Sequence, residues 1–361
     1  MRPNLAVVLA LAASLVAAAA PAVQLPSGFS ETTVAAGLQH PTAIAVANDG
    51  RVFVCEQTGR LRVIKGGSLL ARPFVTLGVD ARRGGLLGVA LDPDFPRTPY
   101  VYLYYTAKNA GIHNRVSRFT ARGDRAVPGS ELRLLDLPRV GPLNHYGGAL
   151  HFGPEGALYV ASGDNGSPDN AQNLATPFGK LLRIASDGHM LHDNPFFDET
   201  SGTARAVWAL GLRNPYTFAF SAGGRLFIND VGEKDWEEID EGAKGANYGW
   251  PQTEGPTSEA GIVAPLFTYG HGDGPETGCA ITGGTFYEPA QQQFPDEYRG
   301  SYFFADFCGG WIRRLDLGSG AEASVFASHI GFPVDLAVGD DGSLYYVAYG
   351  EGVVRRITFG G

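Results

Sequence analysis

The chain has 361 residues and a formal net charge of -9 at pH 7, from 28 Lys+Arg against 37 Asp+Glu. That balance, without any Lys/Arg-rich tract, excludes nucleic acid as a partner, because gripping phosphates requires a basic face. Hydrophobic residues at 44% suffice for a large core, and three cysteines (Cys55, Cys279, Cys308) are too few and too widely spaced for a structural zinc site.

Residues 1–22 read as a cleaved secretory signal. One basic residue, Arg2, precedes an apolar run from Leu5 to Ala20, which ends in the small-residue sequence Ala20-Pro21-Ala22. The run falls short of the roughly 20 apolar residues that span a bilayer, and nothing later is comparable. Residues 23–361 are therefore expected in the periplasm or outside the cell, with no membrane insertion. An oxidising compartment allows one bridge. Cys279 and Cys308 are the better pair, since each lies in a Gly-rich turn between strand-like segments, whereas Cys55 ends an apolar strand and is expected as a buried thiol.

From there onward, 50 glycines and 23 prolines punctuate short runs of Val, Ile, Leu, Tyr and Phe, and no long segment has a 3.6-residue apolar period. The chain is predicted to be all-β. A loose repeat recurs at Gly50-Arg51-Val52-Phe53-Val54, Tyr100-Val101-Tyr102-Leu103-Tyr104, Gly156-Ala157-Leu158-Tyr159-Val160, Gly224-Arg225-Leu226-Phe227-Ile228, Tyr302-Phe303-Phe304-Ala305-Asp306 and Gly342-Ser343-Leu344-Tyr345-Tyr346. Six such units, at spacings of roughly 45 to 75 residues, suit radially repeated four-stranded blades, so a single six-bladed β-propeller is predicted over 23–361. The uneven spacing predicts long loops, chiefly between Asp164 and Ala206 and between Gly249 and Ala280, on the rim that carries function.

Candidate chemistry sits where the strand pattern breaks. Asn144-His145-Tyr146-Gly147-Gly148 offers an imidazole, a base suited to neutral pH. Gly211-Leu212-Arg213-Asn214-Pro215 offers a guanidinium and an amide for developing negative charge. Asp230-Val231-Gly232-Glu233 offers carbonyls of the kind that Ca2+ accepts. Taken singly, each has an ordinary explanation: a turn histidine, an arginine capping carbonyls, Asn-Pro as a turn former, and Asp230, Glu237, Glu238, Asp240 and Glu241 as a solvated acidic loop. Asp164-Asn165-Gly166 reads as a tight turn rather than a metal loop.

In sequence order, Gly84-Gly85-Leu86-Leu87-Gly88 with Asp92-Pro93-Asp94-Phe95, His145-Tyr146-Gly147-Gly148, Phe152-Gly153-Pro154 with Ser162-Gly163-Asp164, Gly211-Leu212-Arg213-Asn214-Pro215, Asp230-Val231-Gly232, Trp236-Glu237-Glu238-Ile239 and Asn247-Tyr248-Gly249-Trp250-Pro251 together resemble the soluble quinoprotein sugar dehydrogenases, the glucose/sorbosone dehydrogenase family. Hedgehog-interacting proteins look like the same superfamily. The resemblance runs from about Leu25 to Ile357. It implies a six-bladed propeller that binds pyrroloquinoline quinone (PQQ) and Ca2+ and oxidises an aldose to its lactone, passing electrons to an acceptor. Carried over by position, His145 is the catalytic base, and Arg213 and Asn214 contact the quinone dione. The carbonyls of Gly232 and Glu233 hold the cofactor's Ca2+, and Glu238 and Tyr248 fall at a second, structural Ca2+ site.

The chain departs from the family among the cations that would anchor the cofactor's carboxylates. Phe332-Pro333-Val334-Asp335 stands where the family has Arg-x-Arg-Asp, Glu288 follows Tyr287 where a Lys or Arg is usual, and Tyr146 replaces Asn. Arg83 stands in place of Gln or Glu and, with Arg313 and Arg314, is a candidate for restoring positive charge. Each lost pair is worth roughly 1 to 4 kcal/mol, so losing three implies about a hundredfold weaker binding even at the low end. Three functions follow as alternatives: a sugar dehydrogenase, a non-catalytic binding propeller that has lost the quinone site, and a Ca2+-dependent lactonase. The retained His145, Arg213 and Asn214 favour the first, and the motifs do not resemble those of the third.

Overall fold

The computed structural model describes residues 22–109, 111–139, 141, 144–318 and 320–360. Of the secretory signal read over residues 1–22, all but Ala22 lies outside the described residues.

Six antiparallel sheets form six blades. Their innermost strands are Pro41–Val46, Leu86–Leu91, Leu150–Phe152, Pro215–Phe220, Ile281–Phe286 and Pro333–Val338, for blades 1 to 6 in order. Each packs against the inner strands of both neighbouring blades, and blade 6 returns to blade 1, so the ring closes. Closure is completed by Phe29–Ala35, which pairs with Val353–Phe359 as the outermost strand of blade 6. Blade 6 is thus built from both ends of the described chain.

The recurring sequence unit is the second strand of each blade. Val52–Glu56, Leu158–Ser162, Leu226–Asp230, Tyr302–Asp306 and Leu344–Ala348 are buried at every position. A strand covered on both faces must be apolar or internally satisfied throughout, so it reads as a continuous run and stands out in the sequence. Outer strands are half exposed and leave a fainter trace. For that reason the two predicted long loops are shorter than expected. The first contains Lys180–Ile184, the third strand of blade 3, and the second contains Phe267–Gly270, the outer strand of blade 4.

Antiparallel pairing fixes which motifs share a rim. The start of each inner strand lies beside the end of the second strand, as in Pro41 opposite Glu56, Pro215 opposite Asp230 and Pro333 opposite Ala348. Segments that precede inner strands (Arg83, His145, Arg213, Asn214) therefore share one rim with segments that follow second strands (Asp164, Gly232, Glu233). Glu288 follows an inner strand and falls on the opposite rim, where its Oε2 accepts the Ala222 N–H. It is not at an anchoring position, and the sequence reading is corrected there: local sequence after Tyr287 does not say which end of the strand it occupies.

Cys279 and Cys308 are joined in a disulfide with a Cα separation of 5.6 Å, and Cys55 is a buried thiol. The bridge ties the segment leading into blade 5 to the turn after that blade's second strand. With a sequence separation of 29, the bridge should stabilise by roughly 3 to 4 kcal/mol through loop closure. The Cys279→Ser, Cys308→Ser double variant is expected to show that loss in guanidinium unfolding.

Candidate active site

His145 opens the loop into blade 3 with a left-handed backbone, φ 66°, a conformation uncommon for non-glycine residues. It is held there because the Asn165 N–H donates to the His145 carbonyl (3.1 Å). The next strand must also approach closely: a Cβ on Gly163 would lie 2.3 Å from that carbonyl, so only glycine fits. The imidazole Nδ1 is 2.8 Å from Asp164 Oδ1. Since the carboxylate accepts, Nδ1 carries a proton, and in the neutral ring the lone pair is on Nε2. The His145 side chain is 21% exposed while that of Asp164 is 1% exposed, so the base reaches solvent and its partner does not.

Asp164 is a junction the sequence reading passed over as a turn. Its Oδ1 also accepts the Gly166 N–H (2.7 Å), as the tight turn requires, and its Oδ2 accepts Trp250 Nε1–H (2.9 Å). Its own N–H donates to the Arg213 carbonyl (2.8 Å). The Arg213 guanidinium lies over the Trp250 ring, 5.4 Å from the centroid, and donates from Nη1 to the Val231 carbonyl (2.9 Å). Its Nε is buried without a partner among the described residues. Asn214 Oδ1 accepts the Gly147 N–H (3.3 Å), which links the arginine loop to the histidine loop. Imidazole and guanidinium are thus joined through one carboxylate and one indole, and the amide ties their two loops together. Arg83 ends the turn Ala81–Arg83 on the same rim, where its charge acts on Tyr146.

The loop behind Asp164 is held by Lys180. Its fully buried ammonium donates to the carbonyls of Asn170 (2.7 Å), Ala171 (2.9 Å) and Phe178 (2.7 Å). Burial without a carboxylate partner brings its pKa down to about 7. From this loop, Asn170 Nδ2 donates to the Asp164 carbonyl (2.9 Å) and Gln172 Nε2 to the Trp250 carbonyl (2.7 Å).

Asp230 connects this rim to a second cluster. Its two oxygens accept the Arg213 N–H (2.8 Å) and the Asn214 N–H (2.6 Å). With Glu238 and Asp240 it forms a buried trio whose ligand oxygens lie within 4.8 Å of one another. Burial pushes Asp230 up to about 7, and burial with repulsion from Asp230 pushes Glu238 up to about 8 and raises Asp240 as well. Both Asp240 oxygens are buried without a hydrogen-bond partner among the described residues. These residues are not the solvated acidic loop that composition suggested. Three carboxylates with an orphaned pair of oxygens suit a hard cation. The Tyr248 hydroxyl is not among them: it accepts the Ala243 N–H (3.0 Å) and donates to the Glu241 carbonyl (2.9 Å).

Gly232 and Glu233 lie in the turn after Asp230. A Cβ on Gly232 would be 1.7 Å from the Trp236 carbonyl, so the tight turn demands glycine. At the blade 6 position where anchoring arginines were missed, Val334 is buried and Phe332 is 47% exposed in a left-handed conformation, φ 57°. Phe332 packs on Phe307 (4.9 Å between centroids). Arg313 and Arg314 are engaged within blade 5, donating to the Glu276 carbonyl and to Ser301 Oγ respectively. A cavity of about 530 Å³ opens at the opposite rim, lined by residues such as Asn48, Leu91, Pro93, Phe152 and Phe220, and none of the residues above reaches it.

Known proteins resemble this chain along much of its length. The chain is 32% identical over 235 residues to the aldose sugar dehydrogenase YliI of Escherichia coli K12, covering 63% of each chain. It is 29% identical to quinoprotein glucose dehydrogenase B of Acinetobacter calcoaceticus, over 65% of this chain and 55% of that one. Hedgehog-interacting proteins match more distantly, at 28% for the mouse protein over 50% of this chain and 30% of that one. Among solved structures, a glucose dehydrogenase of Thermus thermophilus superposes with a TM-score of 0.79 at 31% identity, over 91% of this chain and 100% of that one. The PQQ-bound aldose sugar dehydrogenase of Streptomyces coelicolor superposes at 0.77 with 25% identity, over 93% and 99%. The Glucose / Sorbosone dehydrogenase family profile matches residues 38–355, spanning every blade that carries the residues described above, and the chain belongs to that family.

Proposed function

We propose that the protein is an exported sugar dehydrogenase that oxidises an aldose at its anomeric carbon, with PQQ and Ca2+ bound on the rim that carries His145 and Arg213. The observation that carries this reading is the His145–Asp164–Trp250–Arg213 junction, which fixes the imidazole through Nδ1 and ties it to the guanidinium through one carboxylate and one indole. His145 takes the proton of the anomeric hydroxyl, and Asp164 stabilises the imidazolium that results. Arg213, whose buried Nε has no partner among the described residues, and Asn214 face the negative charge that develops as the hydride leaves the sugar. When bound, the quinone with its Ca2+ supplies the hydride acceptor.

The residues fit the reacting end of that cofactor well. Gly232 and Glu233 carbonyls would hold the metal beside it, and the Asp230, Glu238 and Asp240 trio would hold a second Ca2+, with Tyr248 packed alongside. The carboxylate end has fewer cations than the sequence motif calls for, with Arg83 as the retained candidate, so PQQ affinity should be modest. A non-catalytic binding propeller is the second reading, and Phe332 and Val334 at the anchoring positions favour it.

Absorption titration with PQQ and Ca2+, followed by dye reduction across an aldose panel, separates the two. Saturable quinone binding with turnover of at least one aldose is expected. Arg213→Ala should weaken both. No quinone binding and no turnover would leave the binding propeller as the sounder reading.

A further inference from the structure

Four consecutive backbone N–H groups converge on a single oxygen. Glu233, Lys234, Asp235 and Trp236 donate to Glu254 Oε1 at 2.8, 2.9, 3.1 and 3.2 Å. Burial alone would raise this carboxyl, but the four donors outweigh it and hold Glu254 below the ordinary glutamate range. Gly232 and Glu233 precede two of these donors in the same peptide planes. In a trans peptide the C=O points opposite to the N–H of the following residue, and neither peptide is cis. An N–H pulled onto Glu254 therefore turns the carbonyl of Gly232, and likewise that of Glu233, away from it. Among the described residues neither oxygen accepts a backbone hydrogen bond, so both are left free for another partner. The preceding carbonyl, that of Val231, takes Arg213 Nη1.

We infer that Glu254 is a positioning residue for the cofactor's metal: an internal anion that fills the turn's nest of N–H groups and thereby presents two adjacent carbonyls to a divalent cation. This rests on the reading of Gly232 and Glu233 as Ca2+ ligands. A short turn with its N–H groups converging is ordinarily an anion site. With the anion supplied by the chain itself, the same turn becomes cation-binding on its other face. Glu254 lies beside the acidic trio, since the Gly255 N–H donates to Glu238 Oε1, so the two metal sites must be separated in any test.

Isothermal titration of the full chain with Ca2+ does so, comparing wild type with Glu254→Ala, Glu254→Gln and Asp240→Asn. Wild type is expected to bind in two classes, and Asp240→Asn should remove the one at the trio. Glu254→Ala should weaken the other by roughly 10–100-fold, the usual cost of losing a residue that orients metal ligands. Glu254→Gln keeps one acceptor oxygen of the same reach and should stay within roughly tenfold of wild type, weakened only by the loss of charge. Should Glu254→Ala fail to fold, Glu254→Gln still decides, together with amide exchange: slow exchange at Glu233–Trp236 with Ca2+ affinity lost entirely overturns the inference. Equal affinity of wild type and Glu254→Ala also overturns it. Absence of any Ca2+ binding by wild type overturns instead the reading on which it rests.

Discussion

Replacing His145 by Ala is expected to lower kcat by roughly 10²- to 10⁴-fold, the usual contribution of a positioned general base, while quinone binding measured by absorption persists. On the proposed reading the two roles are separate: the imidazole would take the sugar hydroxyl proton, whereas Arg213 and Asn214 would face the cofactor. Asp164→Asn should lose turnover on a similar scale, again roughly 10²- to 10⁴-fold. Asp164 accepts from three donors, His145 Nδ1, the Gly166 N–H and Trp250 Nε1. An amide has only one acceptor atom, so its NH2 must face either Trp250 or the His145–Gly166 side. The first arrangement breaks the tie to the indole under Arg213, and the second imposes the tautomer in which Nε2 is protonated and cannot act as base. Stopped-flow reduction of the bound quinone by sugar measures this directly. Unchanged rates in both variants would remove His145 from the mechanism.

Removing calcium should destabilise the fold on the same scale as losing the disulfide. If Asp230, Glu238 and Asp240 hold the ion, chelation at a calcium concentration initially 100 to 1,000 times Kd costs roughly 3 to 4 kcal/mol by mass action. For a chain of this length that corresponds to roughly 4 to 6 °C in Tm. The effect should grow with pH. Without metal, the folded trio holds protons that the unfolded chain releases near pH 4, because Asp230 is raised to about 7 and Glu238 to about 8. Raised carboxyls favour the folded state at low pH, and that stability is lost as pH rises from about 4 through about 8. A bound cation neutralises the trio and cancels the loss. The Tm difference between calcium and chelator should therefore widen from pH 5 to pH 8. Asp240→Asn should flatten the response and raise the Tm of the chelated protein at pH 8. A difference that does not vary with pH would place the ion elsewhere.

Much of the site was legible because its residues sit at breaks in strong strand patterns. His145, Arg213 and Asn214 each precede an inner strand, and the turn chemistry that marks such a start is local. Asp164, Trp250, Lys180 and Glu254 were passed over for the opposite reason. Asp164-Asn165-Gly166 is a genuine turn, and nothing local says that its carboxylate also receives an imidazole and an indole from other loops. Lys180 opens a strand, and a lysine in a strand reads as solvent-facing until the three carbonyls around it are known. The motif Ser162-Gly163-Asp164, downstream of the histidine loop, carried a usable hint: glycine beside aspartate permits the close approach that His145 makes.

The class of fold was already written in the order of residues, because doubly covered second strands imprint a series of apolar runs. The residue types able to do chemistry were readable in the same way. Which of them meet was a matter for the folded ring. Rim membership depends on which end of a strand a loop leaves, and pairing between residues distant in the chain is set by blade order rather than by local preference. That is why Glu288, read as a neighbour of the cofactor, lies on the far rim, and why an acidic stretch that looked solvated contains a buried trio whose Asp230 pins Arg213 and Asn214.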